Sequence, residues 1–534
     1  MHIAWQQTKK HKRFLLGLFF CALIVRLLFF FLFTRHGENY LIYFDSAQYQ
    51  NLAQQIADGK GITNSDGTAQ FYRLPGYSLF LASFYKLFDS GETYALLVQI
   101  ILASLIPILI FLLSSMLFPT QLVVAKVSST IAAIHVGFVL YAGMIATETL
   151  FTIFFLGFLL CLFSALARYS PYYFFGAGVL LGCASLIRPV GHFVLMVTVV
   201  VLVLRKFFER DNESVAWIPG QARDDGSSKS LDKFQPNKIN KNPILTRVLS
   251  KIEKLFQDLI SSHKRSVVVP GLTRDPGKTP GQNPRKKIFL FLIGWLSIVS
   301  WWLVRNYLLT GFIFFHTLPG LHFLQYSATK IVMNTEDCSY VQARKQLLDE
   351  WQSIIKTREK QLYRSLNEYE KCRVGEELTM SYLQARPLLA IKHATIEMLK
   401  TCCALYSAQI IISDTGKWPD YSKGVSFWSK MKRFLLPELN HTYLIPVIYW
   451  DIILTFLIVL GFFGFIILCL FDKGLFGIAL KIIPFMGLMI FLTVAYGCAR
   501  LRLPIEPLLI ILASYWWCAV FGVSMKKYFD KITF

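Results

Sequence analysis

Residues 14–33, FLLGLFFCALIVRLLFFFLF, are apolar apart from Arg26. They are long enough to carry an α-helix across the ~30 Å hydrocarbon core of a bilayer. Similar runs recur at roughly 94–118, 122–142, 147–167, 172–187, 190–208, 288–308, 445–471, 475–498 and 503–522. With 54% of residues hydrophobic and 16% charged, the chain lacks the balance of an ordinary soluble domain. The expected fold is an all-α polytopic membrane protein with about ten transmembrane helices, between nine and thirteen in number.

Basic residues set the orientation. KKHKR at 9–13 precedes the first span. That span is too long for a cleaved signal and lacks a small-x-small site before Arg35, so it reads as a signal anchor, with Lys9, Lys10, Lys12 and Arg13 left inside. Ten spans return the terminal MKKYFDK to the same side. Loop 205–287, with 18 Lys/Arg against 9 Asp/Glu, also falls inside. The net charge of +22 is then the usual cytoplasmic excess of a membrane protein and calls for no nucleic-acid partner. Trp301, Trp302, Trp516 and Trp517 near span ends suit interfacial anchoring.

The chain divides into an N-terminal membrane region (1–204) containing a first outer loop (35–93), the basic inner loop (205–287) and a single span (288–308). An outer helical domain (309–443) and a C-terminal membrane region (444–534) complete it. Loop 205–287 repeats P-G-x-x-R-D-x-G, as PGQARDDG at 219–226 and PGLTRDPG at 270–277. It has little apolar periodicity and reads as a largely disordered insertion. In 309–443, Leu347, Leu348, Trp351, Ile354, Ile355, Leu362 and Leu366 fall on helical periods, which predicts amphipathic helices. Of ten cysteines, six lie in apolar runs and behave as small core residues. Cys338 and Cys372 could pair if their loop is outside.

Ionisable residues gather at the outer span ends. Asp45 opens LIYFDSAQYQNLAQQIADGKG, where Tyr49, Leu52, Ala53 and Ile56 predict a surface helix that stops at Gly59. An Asp there is also an ordinary N-cap. Arg73 precedes the Pro-Gly turn of FYRLPGY, Glu148 sits in ATETL, and Arg500 and Arg502 lie in RLRLPIEP. Arg188 (LIRP) and Arg305 (VRNY) stand at the same depth. Singly, each reads as a snorkelling cation or a capping acid. Gathered on one face, they suit a defined chemistry. Guanidinium forks grip a lipid phosphate, and a carboxylate takes a proton from an acceptor hydroxyl or amine. The arginines would stabilise the phosphate as it leaves.

Taken as a set, DSAQYQNLAQQIADGKG, RLPGYSLFLASFY, TETLF, GCASLIRPVG, WWLVRNY and ARLRLPIEPLL resemble the membrane glycosyltransferases of the C type. The resemblance is closest to the bacterial branch related to the protein O-mannosyltransferases and the lipid A aminoarabinose transferase. It covers about 14–190 well, 300–325 and 495–522 loosely, and neither 206–286 nor most of 326–440. It implies a sugar carried on a polyprenyl phosphate, an active site facing the periplasm across the bacterial inner membrane, and inversion at the anomeric carbon. It also implies Asp45 as base, Glu148 as the family's acid after the third span, and Arg73 on the donor phosphate. Arg188, Arg305, Arg500 and Arg502 are further phosphate-binding candidates from their place at the span ends. Some members carry Asp-Glu in the first loop, whereas here Ser46 follows Asp45.

The expected partners are a polyprenyl-phosphate sugar, a lipid, glycan or protein acceptor, and membrane lipids. No cofactor is expected, and a divalent metal is not indicated. No Walker loop, H-E-x-x-H or D-x-D disposes the chain to nucleotide or metal chemistry. A glycolipid transporter or flippase is the alternative, and a non-catalytic membrane subunit a third. The two halves show no internal repeat, and the charges collect at one face, both unlike a transporter. Arg26, Asp451 and Lys481 are the charges that lie elsewhere.

Overall fold

The computed structural model describes residues 10–34, 45–88, 91–168, 170–213, 284–415 and 439–521. Every element named among them is helical, and a lone antiparallel bridge joins Thr63 to Ala69 in a turn. Among the described residues, six apolar helices are long enough to cross a bilayer: Lys12–Leu32, Gly91–Leu117, Glu148–Ala167, Lys286–Thr310, Thr442–Cys469 and Gly474–Phe491. Four shorter apolar helices are Leu122–Ala133, Pro171–Ile187, Val190–Val203 and Glu506–Val520. Together these coincide with the ten spans expected, in an all-α polytopic membrane protein.

The differences lie in continuity. The span expected at 94–118, Gly91–Leu117, is built of two helical segments, Gly91–Ala103 and Ile106–Leu117, with Pro107 in the first turn of the second. Lacking an amide, proline opens a helix more readily than it continues one. The span expected at 122–142 breaks after Leu122–Ala133 and resumes only as Val136–Leu140. The last span starts late, at Glu506, after Pro504 and with Pro507 in its first turn. A feature the hydropathy did not flag is the helix pair Pro387–Cys403 and Ser407–Thr415, bent by 89° and together apolar enough for a seventh span.

Small residues let helices approach where lipid offers no hydrophobic drive. Pro171–Ile187 carries Gly178 and Gly182, four residues apart, against Gly294 of Pro284–Thr310. A methyl group at Gly178 would strike the Phe291 carbonyl, and one at Gly294 the carbonyl of Phe175. This close pair sets the ends that carry Arg188 and Arg305. Trp302 is buried, its indole donating to the Phe315 carbonyl (2.6 Å), instead of lying at an interface.

Beyond Thr310, amphipathic helices pack on their own small cores. Ser339 with Gln342 and Asn367 with Glu370 form reciprocal capping boxes that start Tyr340–Leu362 and Glu368–Ala385. Leu347 is buried with Leu324, Val332 and Leu378, and Ile355 with Leu366 and Val374. Trp351 and Ile354 pack against both clusters, whereas Leu362 is exposed. Cys338 and Cys372 are free thiols.

Residues Val203–Asn283 form a separate unit. It holds the end of Val190–Glu213, and the repeated P-G-x-x-R-D-x-G stretches lie outside the described residues.

Candidate active site

Helix Asp45–Ala57 forms on the expected stripe, with Tyr49, Leu52 and Ala53 buried. It ends where Gly59 takes a left-handed backbone (φ 76°), a conformation glycine adopts without a Cβ clash. Ser46 is buried, and its hydroxyl donates to the Ile145 carbonyl (2.8 Å). The residue after Asp45 therefore builds scaffold, while Asp45 itself turns to the arginines.

Each residue of RLPGY has a separate task. Pro75 opens helix Pro75–Tyr85. Gly76 passes so close to the end of Pro171–Ile187 that a Cβ there would lie 2.7 Å from the Leu186 carbonyl oxygen. The Tyr77 hydroxyl donates to Gln99 (2.9 Å) and accepts from the Ala146 amide (3.0 Å). Arg73, just ahead of the turn, is thereby brought to the level of Asp45.

Glu148 depends on a buried irregular stretch, 141–147, that leads into its helix. Irregular backbone at membrane depth needs partners for its polar groups. Gln99 supplies them, its amide nitrogen lying 3.2, 2.9 and 2.8 Å from the carbonyls of Tyr141, Ala142 and Met144. A single Gln in the apolar run ALLVQIILA is the one sequence signal for this role. Gln99→Leu leaves the Ala142 and Met144 carbonyls without this donor, while Tyr141 keeps the Thr149 hydroxyl (3.0 Å), and should cost about 2–4 kcal/mol. Thermal unfolding in detergent measures this, and a Leu variant as stable as the parent would remove Gln99 from the scaffold.

On this frame five segments, the last of them the short helix Ala499–Arg502, bring together five ionisable side chains, one from each. Arg73 donates to Asp45 Oδ1. Arg500 Nη1 donates to Asp45 Oδ2 (2.5 Å), and Arg500 Nε to Glu148 Oε1 (2.5 Å). Arg188, at the end of Pro171–Ile187 and before Pro189, donates through Nη1 to the same Oε1 (2.6 Å). Arg500 thus bridges the two acids. Glu148 is fully buried and its Oε2 has no partner among the described residues. The Asp45 side chain retains 30% of its exposure, so the cluster opens outward at Asp45. Three arginines against two carboxylates leave one positive charge in excess.

Both Asp45 oxygens bond arginines, which sets its side chain in the cluster. Burial alone would raise its pKa, but Arg500 and Arg73 outweigh burial and hold it at about 2. Around it stand Tyr49 and Tyr72, whose rings flank the Arg73 guanidinium at 5.2 and 5.1 Å. Gln48 accepts from Arg73 Nε (2.7 Å). His322 and Tyr326, 4.8 Å apart, also lie in the field of Asp45 and Arg73. Burial keeps His322 low, at about 4. Of these neighbours the sequence marks Tyr49, and that only as part of the helix stripe.

The other two arginines are engaged elsewhere. Arg305 donates to the carbonyls of Ile62 (2.8 Å) and Gln70 (3.2 Å) and lies over Phe71 and Trp302, pinning the loop that leads to Arg73. Arg502 faces away from the cluster and pairs with Glu506 (2.5 Å). Among the described residues, no group of three or more His, Cys, Asp or Glu could hold a metal ion.

Residues 73–218 match the family model of the dolichyl-phosphate-mannose-protein mannosyltransferases. The match contains Arg73, Glu148 and Arg188 and excludes Asp45 and Arg500. It relates the chain to the membrane glycosyltransferases of the C type. Comparison with curated proteins and with solved structures gives no match.

Proposed function

We propose, with that relation as premise, that the chain transfers a glycosyl group from a polyprenyl-phosphate-linked sugar to an acceptor on the outer face of a bacterial inner membrane. The observation that carries this reading is the convergence of Asp45, Arg73, Glu148, Arg188 and Arg500 from five separate segments. Ionisable groups at a membrane edge are costly unless paired or used. Here pairing alone leaves an excess positive charge, the complement of a phosphodiester monoanion.

In this reading Arg73 and Arg500 take the donor phosphate. Because the same two arginines hold Asp45, donor binding shares or displaces those contacts and lets the carboxylate regain basicity. Asp45 then accepts the proton of an acceptor hydroxyl as its oxygen attacks the anomeric carbon. The bond from that carbon to the phosphate oxygen breaks with inversion, and the leaving polyprenyl phosphate carries off the electron pair, its growing charge met by the arginines. Glu148, buried between Arg188 and Arg500, fixes their orientation and does not touch substrate. The acceptor is a lipid, a glycan or a protein.

The Arg73 series tests donor binding. Arg73→Ala should raise the donor concentration at half-maximal rate by about 10–100-fold, the scale of a charge-assisted hydrogen bond. Arg73→Lys should recover only part of it, since the ammonium keeps the charge but not the fork. Release of polyprenyl phosphate measured against donor concentration gives the answer, and an Ala variant with the parent's dependence would reject this role.

A further inference from the structure

Arg500 does two jobs, one at each acid, yet it sits on a helix of only four residues, Ala499–Arg502. Something outside that helix must hold it in register. The candidates are the contacts on either side of it: Lys330 reaches the Ala495 carbonyl (3.0 Å), and the other side-chain bonds described below lead to the bent helix pair.

Two residues beyond Arg500, Arg502 points the opposite way. Its Nη1 lies 3.1, 2.7 and 2.9 Å from the carbonyls of Thr401, Cys402 and Ala404, at the end of Pro387–Cys403 where the pair bends by 89°. Its Nε donates to Glu506 Oε1 (2.5 Å), and Tyr406 donates to the same oxygen (2.9 Å). Across the break, Asp451 accepts from the Ser407 amide (2.7 Å). A cation therefore satisfies the carbonyl end of one helix and an anion the amide end of the next, the arrangement helix dipoles favour. Arg502, Glu506, Tyr406 and Asp451 are all buried.

On the other side of Arg500 the same helix takes hold again. Glu397 accepts from the Gly497 amide (2.8 Å), and Thr401 donates to Thr493 (2.8 Å). A Cβ at Gly497 would collide with the Glu397 carbonyl. Stretch 493–502 is thus fastened to Pro387–Cys403 at 493, 497 and 502, with Arg500 inside that bracket.

We infer that the bent pair is the frame that positions Arg500, with Arg502 as its positioning residue instead of a phosphate ligand. This rests on the reading of Arg500 as a donor-phosphate contact, and the test separates the two. Arg502→Gln alone strands the buried Glu506 carboxylate and is expected to fold poorly. The double variant Arg502→Gln with Glu506→Gln removes both charges and keeps hydrogen-bonding groups, so it is the one to assay. Two readouts are taken on the purified full chain: maleimide labelling of Cys498, located by mass spectrometry, and binding of polyprenyl monophosphate in detergent.

The double variant should label at Cys498 about tenfold faster than the parent, from local opening of 493–502. It should also bind polyprenyl monophosphate about tenfold more weakly, from a misplaced Arg500. Unchanged labelling overturns the frame, whatever the binding assay gives. Faster labelling with binding equal to the parent's overturns the positioning role. Faster labelling in a chain whose parent binds no polyprenyl monophosphate leaves the frame standing and removes the transferase reading.

Discussion

Asp45→Asn folds and inserts like the parent and transfers sugar about 100-fold or more slowly, the usual scale for loss of a general base. Asn keeps one acceptor oxygen for Arg73 or Arg500 and turns an NH2 toward the other, and it cannot take a proton at neutral pH. The stability cost should be about 1 kcal/mol, because the Asp45 side chain is partly exposed and its pairs are screened. Its pH dependence carries a sign. A carboxyl lowered to about 2 in the fold lends stability that is complete above its unfolded value of ~3.9 and is lost as pH falls through about 2. The melting temperatures of parent and Asn variant should therefore differ at neutral pH and converge in acid. An active Asn variant would return Asp45 to a structural role.

Arg500→Ala is the second large effect, and it acts on stability as well as rate. Glu148 is fully buried and, among the described residues, keeps Arg188 as its cationic partner once Arg500 is gone, while Asp45 keeps Arg73. Breaking a buried charge pair from one side costs about 3–5 kcal/mol. Arg500→Lys restores the charge but has no fork to span both acids, so it should recover stability in part and transfer hardly at all. Thermal unfolding and donor-dependent rate, measured on the same preparations, separate these. A lysine variant with the parent's rate would show that bridging the two acids is dispensable.

Much of the membrane architecture is legible from sequence because twenty-residue apolar runs have few other uses. Asp45, Arg73 and Glu148 are legible for a related reason: a charge beside such a run, next to a Pro-Gly turn or a helix start, is conspicuous. The choice between Arg500 and Arg502 was not. Two residues apart on a short helix, they face opposite ways because Glu506 and the carbonyls of 401–404, about a hundred residues earlier, claim Arg502. Arg305 looked equivalent to Arg188, and only the loop it pins, at Ile62 and Gln70, tells them apart. Gln99 was hidden by its apolar neighbours. The bent pair falls inside the expected outer helical domain, 309–443, because Lys392, Glu397 and Lys400 interrupt its apolar face, and Lys330 and Gly497, which partner Glu397, lie elsewhere in the chain.

Under the proposed function, the Asp45 cluster performs glycosyl transfer to an envelope acceptor. Mass spectrometry of envelope lipids, polysaccharides and proteins tests it most directly. Three cell lines are compared, expressing the parent chain, the Asp45→Asn chain at equal abundance, or neither. A species heavier by one sugar is expected in the first and is expected to be absent from the other two. The same species at the parent's level in Asp45→Asn cells would contradict it.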